Sequence, residues 1–123
     1  MKKIFFTLTL AVFVLHLQAV DMTPVTNAFK NGNAEQLKEM MATEVDMVAP
    51  GVTKKVNNSE AIAILKSFFQ NNKPSAFTVT HNADKNDSGF LIGKLTTANK
   101  DFRVNITYTS KEGKILISII RIE

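Results

Sequence analysis

The chain has 123 residues, with 15 Lys and Arg against 11 Asp and Glu, a formal net charge of +4 and no cysteine. No disulfide can therefore stabilise the fold, so an apolar core has to hold it together. The basic residues are dispersed among acidic ones and do not cluster between aromatic residues, a distribution that argues against nucleic acid as a partner.

The first 19 residues have the composition of a cleavable signal peptide. Lys2 and Lys3 precede an almost uncharged apolar stretch from Ile4 to Leu17, which is followed by the small residue Ala19 and by the first acid, Asp21. A retained membrane anchor is the weaker alternative, because a spanning helix needs about 20 apolar residues. The chain also lacks the cysteine that a lipoprotein anchor requires. We predict cleavage at or near Ala19 and a periplasmic or secreted protein with no membrane attachment afterwards.

Residues 20–123 are then expected to form one small domain of 104 residues. Without Lys2 and Lys3, 13 basic residues remain against 11 acidic ones, so much of the positive charge belongs to the targeting signal. A domain of this size buries somewhat under about 70% of its unfolded surface. Most of its phenylalanine, methionine and isoleucine residues are therefore needed in the core.

Two helices and a strand are predicted first. Thr23-Pro24 offers an N-cap hydroxyl followed by proline at the first helical position, and Gly32 offers a C-terminal stop. Asn33 can cap the second helix. Residues 44–49 alternate between two faces, which predicts a strand that closes at Pro50-Gly51.

The sequence after Pro50-Gly51 predicts a short strand at residues 52–58, a long helix capped by Asn58 or Ser59, and a run of four strands. The apolar stripe of the long helix is broad enough to pack on a sheet. The four strands are predicted at residues 76–83, 89–98, 101–109 and 114–122. Their short connections permit only antiparallel hairpins, so helices followed by a meander predict an α+β fold.

The last strand, ILISIIRIE, contains an arginine within an apolar run. Strict alternation separates two faces: Ile115, Ile117, Ile119 and Arg121 against Leu116, Ser118, Ile120 and Ile122. Because both sets are mostly apolar, we predict a central strand that is covered on both sides. Arg121 is expected to reach solvent, to contact a ligand at the mouth of the fold, or to pair with a carboxylate from Glu44, Asp46 or Glu123.

Residues 21–123 resemble a family of small exported bacterial proteins, described only as a domain of unknown function, within the nuclear transport factor 2-like (NTF2-like) superfamily. The resemblance lies in the segments AFKNGNAEQLKEMM, AILKSFFQNNKPSAFTVTH, IGKL and FRVNITY…GKILISIIRIE. It implies a cone with a cavity, made of helices on a curved antiparallel sheet in the order αα-β-β-α-ββββ, with the last strand beside the first. The superfamily contains isomerase-like and dehydratase-like enzymes as well as non-catalytic binding proteins, so the fold leaves the function open.

Our first functional hypothesis is a non-catalytic protein that binds an apolar small molecule or a protein partner. His81 shares a predicted strand face with Phe77 and Val79, which places its side chain inside the cone or at its rim. The candidate ligand-binding residues are Phe68, Phe69, Phe77, His81, Phe90, Phe102, Tyr108 and Arg121. The competing interpretation for each aromatic residue is ordinary core packing.

Two alternatives stay open. Asp46, His81 and Tyr108 are a conceivable acid–base set for a small cofactor-independent isomerase or dehydratase. The other alternative is an accessory module that forms a homodimer through an exposed sheet face, and its sign is an apolar patch on the convex side. We expect no metal and no cofactor, because residues 20–123 contain one histidine and no cysteine, nucleophile elbow or glycine-rich phosphate loop.

Overall fold

The computed structural model describes residues 20–123, and the predicted signal peptide, residues 1–19, lies outside the described residues. The order of elements is the predicted αα-β-β-α-ββββ. The elements are the helix α1 (Thr23–Asn31), the 3-10 helix η1 (Ala34–Met40), β1 (Met41–Ala49), β2 (Val52–Asn57), α2 (Asn58–Asn71), β3 (Pro74–Lys85), β4 (Ser88–Thr97), β5 (Asp101–Lys111) and β6 (Lys114–Ile122). Within residues 20–123, no helix has the length and apolar character that crossing a membrane requires.

The helix ends differ in detail from the sequence-based expectation. Thr23 is the first residue of α1 and not its N-cap, whereas Gly32 ends the helix as predicted, in the left-handed conformation with φ 67°. Asn33 forms no capping hydrogen bond, and η1 is a 3-10 helix where an α-helix was predicted. The cap of α2 is Asn57, whose Oδ1 accepts a hydrogen bond of 2.8 Å from the amide of Glu60.

One six-stranded sheet has the order β2-β1-β6-β5-β4-β3. The α+β class and the position of the last strand beside the first are confirmed. The wholly antiparallel sheet is wrong, because β1 and β6 run parallel while every other neighbouring pair is antiparallel. A parallel pair needs a long crossover connection, and here the chain from β2 to β5 supplies it.

The helices cover the concave face of this curved sheet. α1 contacts β3, η1 contacts β6, and α2 contacts β1 and β2. The core lies between the two layers, and its largest fully buried side chains are Phe29, Leu37, Met47, Leu65, Leu91, Leu95, Ile106, Tyr108, Ile117, Ile120 and Ile122. Apolar residues at every second position of the strands thus form one face of the core, as period-two alternation requires.

A β-bulge in β6 changes which residues share a face. Thr107 of β5 pairs with Ile119 while Tyr108 pairs with Ile117, so Ser118 is an extra residue in the ladder. After the bulge the alternation resumes with the opposite phase. The inward-facing residues are therefore Ile115, Ile117, Ile120 and Ile122, all of which are buried. The two faces predicted by strict alternation are wrong from Ile119 onward.

A second bulge lies in β3. Val79 pairs with Gly93 of β4 and His81 pairs with Ile92, which leaves Thr80 as the extra residue. The Thr80 hydroxyl donates a hydrogen bond of 3.1 Å to the carbonyl oxygen of Ile92. Because neighbouring residues of β4 face opposite sides of the sheet, His81 lies on the convex face with Ile92. The predicted face shared by His81 and Val79 is therefore wrong.

Candidate binding surface on the convex face of the sheet

Four of the aromatic residues predicted to line an interior pocket pack against other aromatic rings in the core, namely Phe68, Phe69, Phe77 and Phe102, whereas Phe90 lies on the opposite face of the sheet. Phe29 stacks on Phe77 with ring centroids 5.4 Å apart and meets Phe69 edge-on at 5.7 Å. Phe68 meets the ring of Phe102 edge-on at 5.1 Å. Four of these candidates are at most 6% exposed, namely Phe68, Phe69, Phe102 and Tyr108. In the described residues these side chains fill the concave side of the sheet.

The Tyr108 hydroxyl links β5 to the hairpin of β3 and β4 through side-chain hydrogen bonds. Its hydroxyl accepts a hydrogen bond of 3.2 Å from Asn82 Nδ2 and donates a long one of 3.4 Å to Asp84 Oδ2. Burial raises the pKa of Tyr108, the hydrogen bond from Asn82 opposes this rise, and the carboxylate of Asp84 adds to it. The hydroxyl therefore stays neutral and able to donate at ordinary pH.

The structure does not bring the conceivable acid–base set together. Tyr108 lies on the concave side, whereas Asp46 and His81 lie on the convex side. β1 and β3 are four strand spacings apart, which separates Asp46 from His81 by roughly 19 Å in the direction perpendicular to the strands. The nearest cation to Asp46 is Lys55, with Nζ 3.8 Å from the carboxylate. These three side chains cannot act on one substrate atom.

The convex face has an apolar centre, which we call the convex patch. It consists of side chains that neighbour one another across β3, β4, β5 and β6: His81, Phe90, Ile92, Asn105, Thr107 and Ile119. Phe90 is 39% exposed, and the ring of His81 stacks on it with centroids 5.5 Å apart and an interplanar angle of 9°. The patch thus presents the stacked rings of Phe90 and His81 to solvent.

Two open grooves flank Phe90 and Ile92, which line both of them. The first groove, beside the turn between β3 and β4, has a volume of about 540 Å³ and is also lined by Ala83, Lys85, Ser88, Asn105 and Thr107. The second groove has a volume of about 810 Å³ and is also lined by His81, Lys94, Asp101, Arg103 and Glu123. Phe90 and Ile92 therefore form an apolar ridge between two concave surfaces.

Charged side chains surround the second groove and the end of the patch beside it. Lys94 and Arg103 lie directly opposite each other on β4 and β5, and Lys94 Nζ is 3.7 Å from Asp101. Arg121 Nη2 donates a hydrogen bond of 2.8 Å to Glu123 Oε2, one of the three carboxylates that the sequence offered as partners of this arginine. An apolar centre within a charged rim is the usual arrangement of a protein–protein interface.

Asn105 is the most polar residue near the centre of the patch. It lies between Ile92 of β4 and Arg121 of β6. Its Oδ1 atom is buried and has no hydrogen-bond partner among residues 20–123. A buried acceptor without a donor costs about 1–3 kcal/mol. Alternation in FRVNITY indicates that this side chain faces outward, but no signal in the sequence places it at the centre of a surface.

The described residues offer no metal centre, because no three His, Cys, Asp or Glu side chains of residues 20–123 lie close enough together to hold an ion.

The helices on a curved six-stranded sheet define an NTF2-like α+β domain. The chain belongs to the family described as "Domain of unknown function (DUF4783)", whose model matches residues 22–123. The crystal structure of a DUF4783 family protein from Bacteroides ovatus ATCC 8483 is similar with 35% identity and a TM-score of 0.79, covering 85% of this chain and 96% of that one. A DUF4783 family protein from Bacteroides fragilis YCH46 is similar with 38% identity and a TM-score of 0.76, covering 81% and 94%.

The fold also matches more distant structures. The protein Rd1NTF2_04 with long sheet has a TM-score of 0.66 at 11% identity, covering 81% of this chain and 94% of that one. At this identity the likeness shows the fold alone. The comparison with curated proteins gave no significant match.

Proposed function

We propose that the domain is a non-catalytic binding module whose convex patch docks a protein partner. The observation that carries this proposal is the apolar ridge of the exposed Phe90 and the half-buried Ile92 between two grooves, with charged residues around it. A contiguous apolar surface rimmed by polar residues marks an interaction site more often than it marks a bare monomer surface.

The shape of the surface favours a protein over a small molecule. Small-molecule sites enclose most of their ligand, usually in a cleft lined by apolar side chains. Both grooves here are open on the outer face of a sheet, whereas the aromatic residues of the concave side contact one another. A broad partner surface can cover the ridge and both grooves together.

The separation of ionisable groups favours binding over catalysis. Acid–base chemistry needs groups within hydrogen-bonding reach of the same substrate. Asp46 and His81 are on the convex face but four strands apart, and Tyr108 is on the other side of the sheet. The residues of the convex patch carry no arrangement of this kind, so burial of apolar area is the physical basis of the proposed function.

Site-specific photo-crosslinking in the cells that make the protein tests this proposal. The full chain carries benzoylphenylalanine at position 90 or, as a control, at Ser67, which is exposed on α2 on the other side of the sheet. We expect a protein adduct from position 90, none from position 67, and loss of the adduct when Ile92→Asp adds a charge to the ridge. Absence of an adduct at position 90, or equal adducts at both positions, would contradict the proposal.

We further propose that the domain acts in the periplasm or outside the cell. Lys2, Lys3 and the apolar segment from Ile4 to Leu17 support this localisation. The intact mass of the protein from the extracytoplasmic fraction tests it. We expect a chain that starts at Val20 or within two residues of it, and full-length chain confined to the cytoplasm would contradict export.

A further inference from the structure

We infer that the partner of the convex patch docks by adding an extended segment of its own chain to the sheet, alongside the edge strand β3. The inference rests on the proposed function and goes further, because it names the element of the partner and the edge that this element joins. Three observations carry it: the edge of β3 is long and uncharged, its polar side chains turn inward, and it is continuous with the convex patch.

The outer side of β3 is an open edge of the sheet. β3 is the end strand on one side and, with 12 residues, the longest strand of the six. Within residues 20–123, no backbone hydrogen bond joins residues 75–85 to a loop or a helix. In an antiparallel ladder, alternate residues direct their N–H and C=O groups away from the neighbouring strand. These outward groups of β3 are therefore open to an additional strand.

The two edges of the sheet differ in how well they are protected. β2, at the other edge, has six residues and carries Lys54 and Lys55 in its middle. Short strands and edge lysines oppose pairing with another chain. Residues 75–83 of β3, by contrast, contain no Asp, Glu, Lys, Arg or Pro. A long, exposed and uncharged edge is a template for strand addition, the way in which many domains bind an extended peptide.

The polar side chains of β3 leave this edge unobstructed. Ser75, Thr80 and Asn82 each donate a side-chain hydrogen bond to a carbonyl oxygen of β4, at 3.3, 3.1 and 2.9 Å. These groups therefore turn towards β4 and away from the outer side of β3. The ladder is regular on both sides of the Thr80 bulge, at residues 76–79 and 81–85. Each stretch has the length of a short strand.

The edge is continuous with the convex patch. His81 is exposed on the convex side of β3, and one face of its ring stacks on Phe90 at 5.5 Å. An added strand lies about 4.8 Å from β3, so one of its side chains becomes a cross-strand neighbour of His81. An aromatic or aliphatic side chain there covers the other face of the imidazole and extends the row of rings that begins at Phe90.

Val79 gives the same edge an apolar site on its concave side. It pairs with Gly93, which in turn pairs with the buried Val104, so Val79 points to the concave side although it is 39% exposed. A side chain of the added strand covers Val79 in the same way that another covers His81. The segment that fits this edge therefore has apolar residues on both of its sides, with β-branched or aromatic residues and no charge in its middle.

Mapping of cross-links tests for an added strand. The full chain, in the cells that make it, carries benzoylphenylalanine at Thr78 or at Ala83, which are exposed on the convex side of β3, or at Thr53 on β2 as a control. Mass spectrometry of the digested adducts identifies the partner residue that each position captures. We expect Thr78 and Ala83 to capture one continuous segment of the same protein, at sites roughly four to six residues apart, and Thr53 to capture nothing. Sites in separate segments, or capture of a second copy of this chain, overturn the inference.

Lysine substitution tests the edge without a probe on it. Val79→Lys gives β3 the kind of charge that β2 already carries, and Thr78→Lys does so from the other side of the strand. We expect each to lower the yield of the adduct at position 90 about fivefold or more, because an edge lysine opposes strand pairing. Thr53→Lys is the matched control on β2, and urea denaturation checks that all three variants are folded. An unchanged yield in both β3 variants, or an equal loss from Thr53→Lys, overturns the inference.

The two proposals fail in different ways. If position 90 gives an adduct but Thr78 and Ala83 do not capture one segment, the added strand is wrong and docking on the convex patch stands. If no position gives an adduct, both proposals fail. One segment captured along β3 without an adduct at position 90 would keep the added strand and overturn the convex patch.

Discussion

Tyr108 and Gly89 are in contact in a way that leaves no room for a side chain. A Cβ atom added to Gly89 would lie 2.6 Å from the hydroxyl oxygen of Tyr108. The same hydroxyl is bonded to Asn82 and Asp84 on β3, so this contact fixes the end of the hairpin that carries Phe90. The buried Tyr108, on the concave side of the sheet, therefore helps to position Phe90 on the convex side.

Gly89→Ala is expected to destabilise the domain. The methyl group must displace the ring of Tyr108, which is fully buried, and overpacking of this kind costs about 1–3 kcal/mol. The free energy of unfolding from urea denaturation measures the effect, with Ser88→Ala, at an exposed neighbouring position, as the control. A loss for Gly89→Ala no larger than that of the control would show that the hairpin moves aside freely.

Tyr108→Phe is expected to loosen the hairpin without disturbing the core. The ring keeps its packing, but the hydrogen bonds to Asn82 and Asp84 are lost, at about 0.5–1.5 kcal/mol for a typical hydrogen bond. Hydrogen exchange should become faster at residues 82–90 and remain unchanged in α2. Asn82→Ala removes the same contact, so the two substitutions together should cost less than the sum of their separate effects. Full additivity would show that this hydrogen bond is not formed in solution.

The raised pKa of Tyr108 predicts a loss of stability at high pH. The unfolded chain ionises near pH 10, the ordinary tyrosine value, while the folded chain holds the proton to higher pH. The contribution to stability is therefore complete below about pH 10 and is lost as the pH rises through the raised value. Since Tyr108 is the one tyrosine of the chain, tyrosinate absorbance at about 295 nm reports its titration alone. Tyr108→Phe should lose less stability over the same pH range, and a midpoint at or below the ordinary value would contradict the burial.

The sequence predicts the order of elements because its periodicities are simple. Alternation in FRVNITY places Phe102, Val104, Ile106 and Tyr108 on one face, and all four are buried. The resemblance to the NTF2-like superfamily added the position of β6 beside β1, which is confirmed. Sequence periodicity predicts the buried face of β5 correctly because this stretch has no bulge and has the core on one side only.

The faces of β3 and β6 cannot be predicted by alternation alone. Thr80 in β3 and Ser118 in β6 are bulge residues, and an extra residue of this kind reverses the face of every residue that follows it. His81 and Arg121 consequently lie on the convex face, and Ile120 faces inward. Thr80 and Ser118 are residues that also occur in regular strands, so the local sequence does not mark either position as a bulge. The register is set by pairing with the neighbouring strands, which the local sequence does not show.

The difference between Asn57 and Asn58 gives a matched test of the helix cap. Asn57 Oδ1 accepts the amide hydrogen of Glu60, whereas the sequence favoured Asn58 or Ser59 as the cap. Asn57→Ala should therefore cost about 1 kcal/mol in the free energy of unfolding, because an amide at the start of α2 loses its acceptor. Asn58→Ala, one residue further along, should change stability by less than about half of that value, since alanine is a good helix former. Urea denaturation of both variants decides between the two caps, and a larger loss for Asn58→Ala would move the start of α2 by one residue.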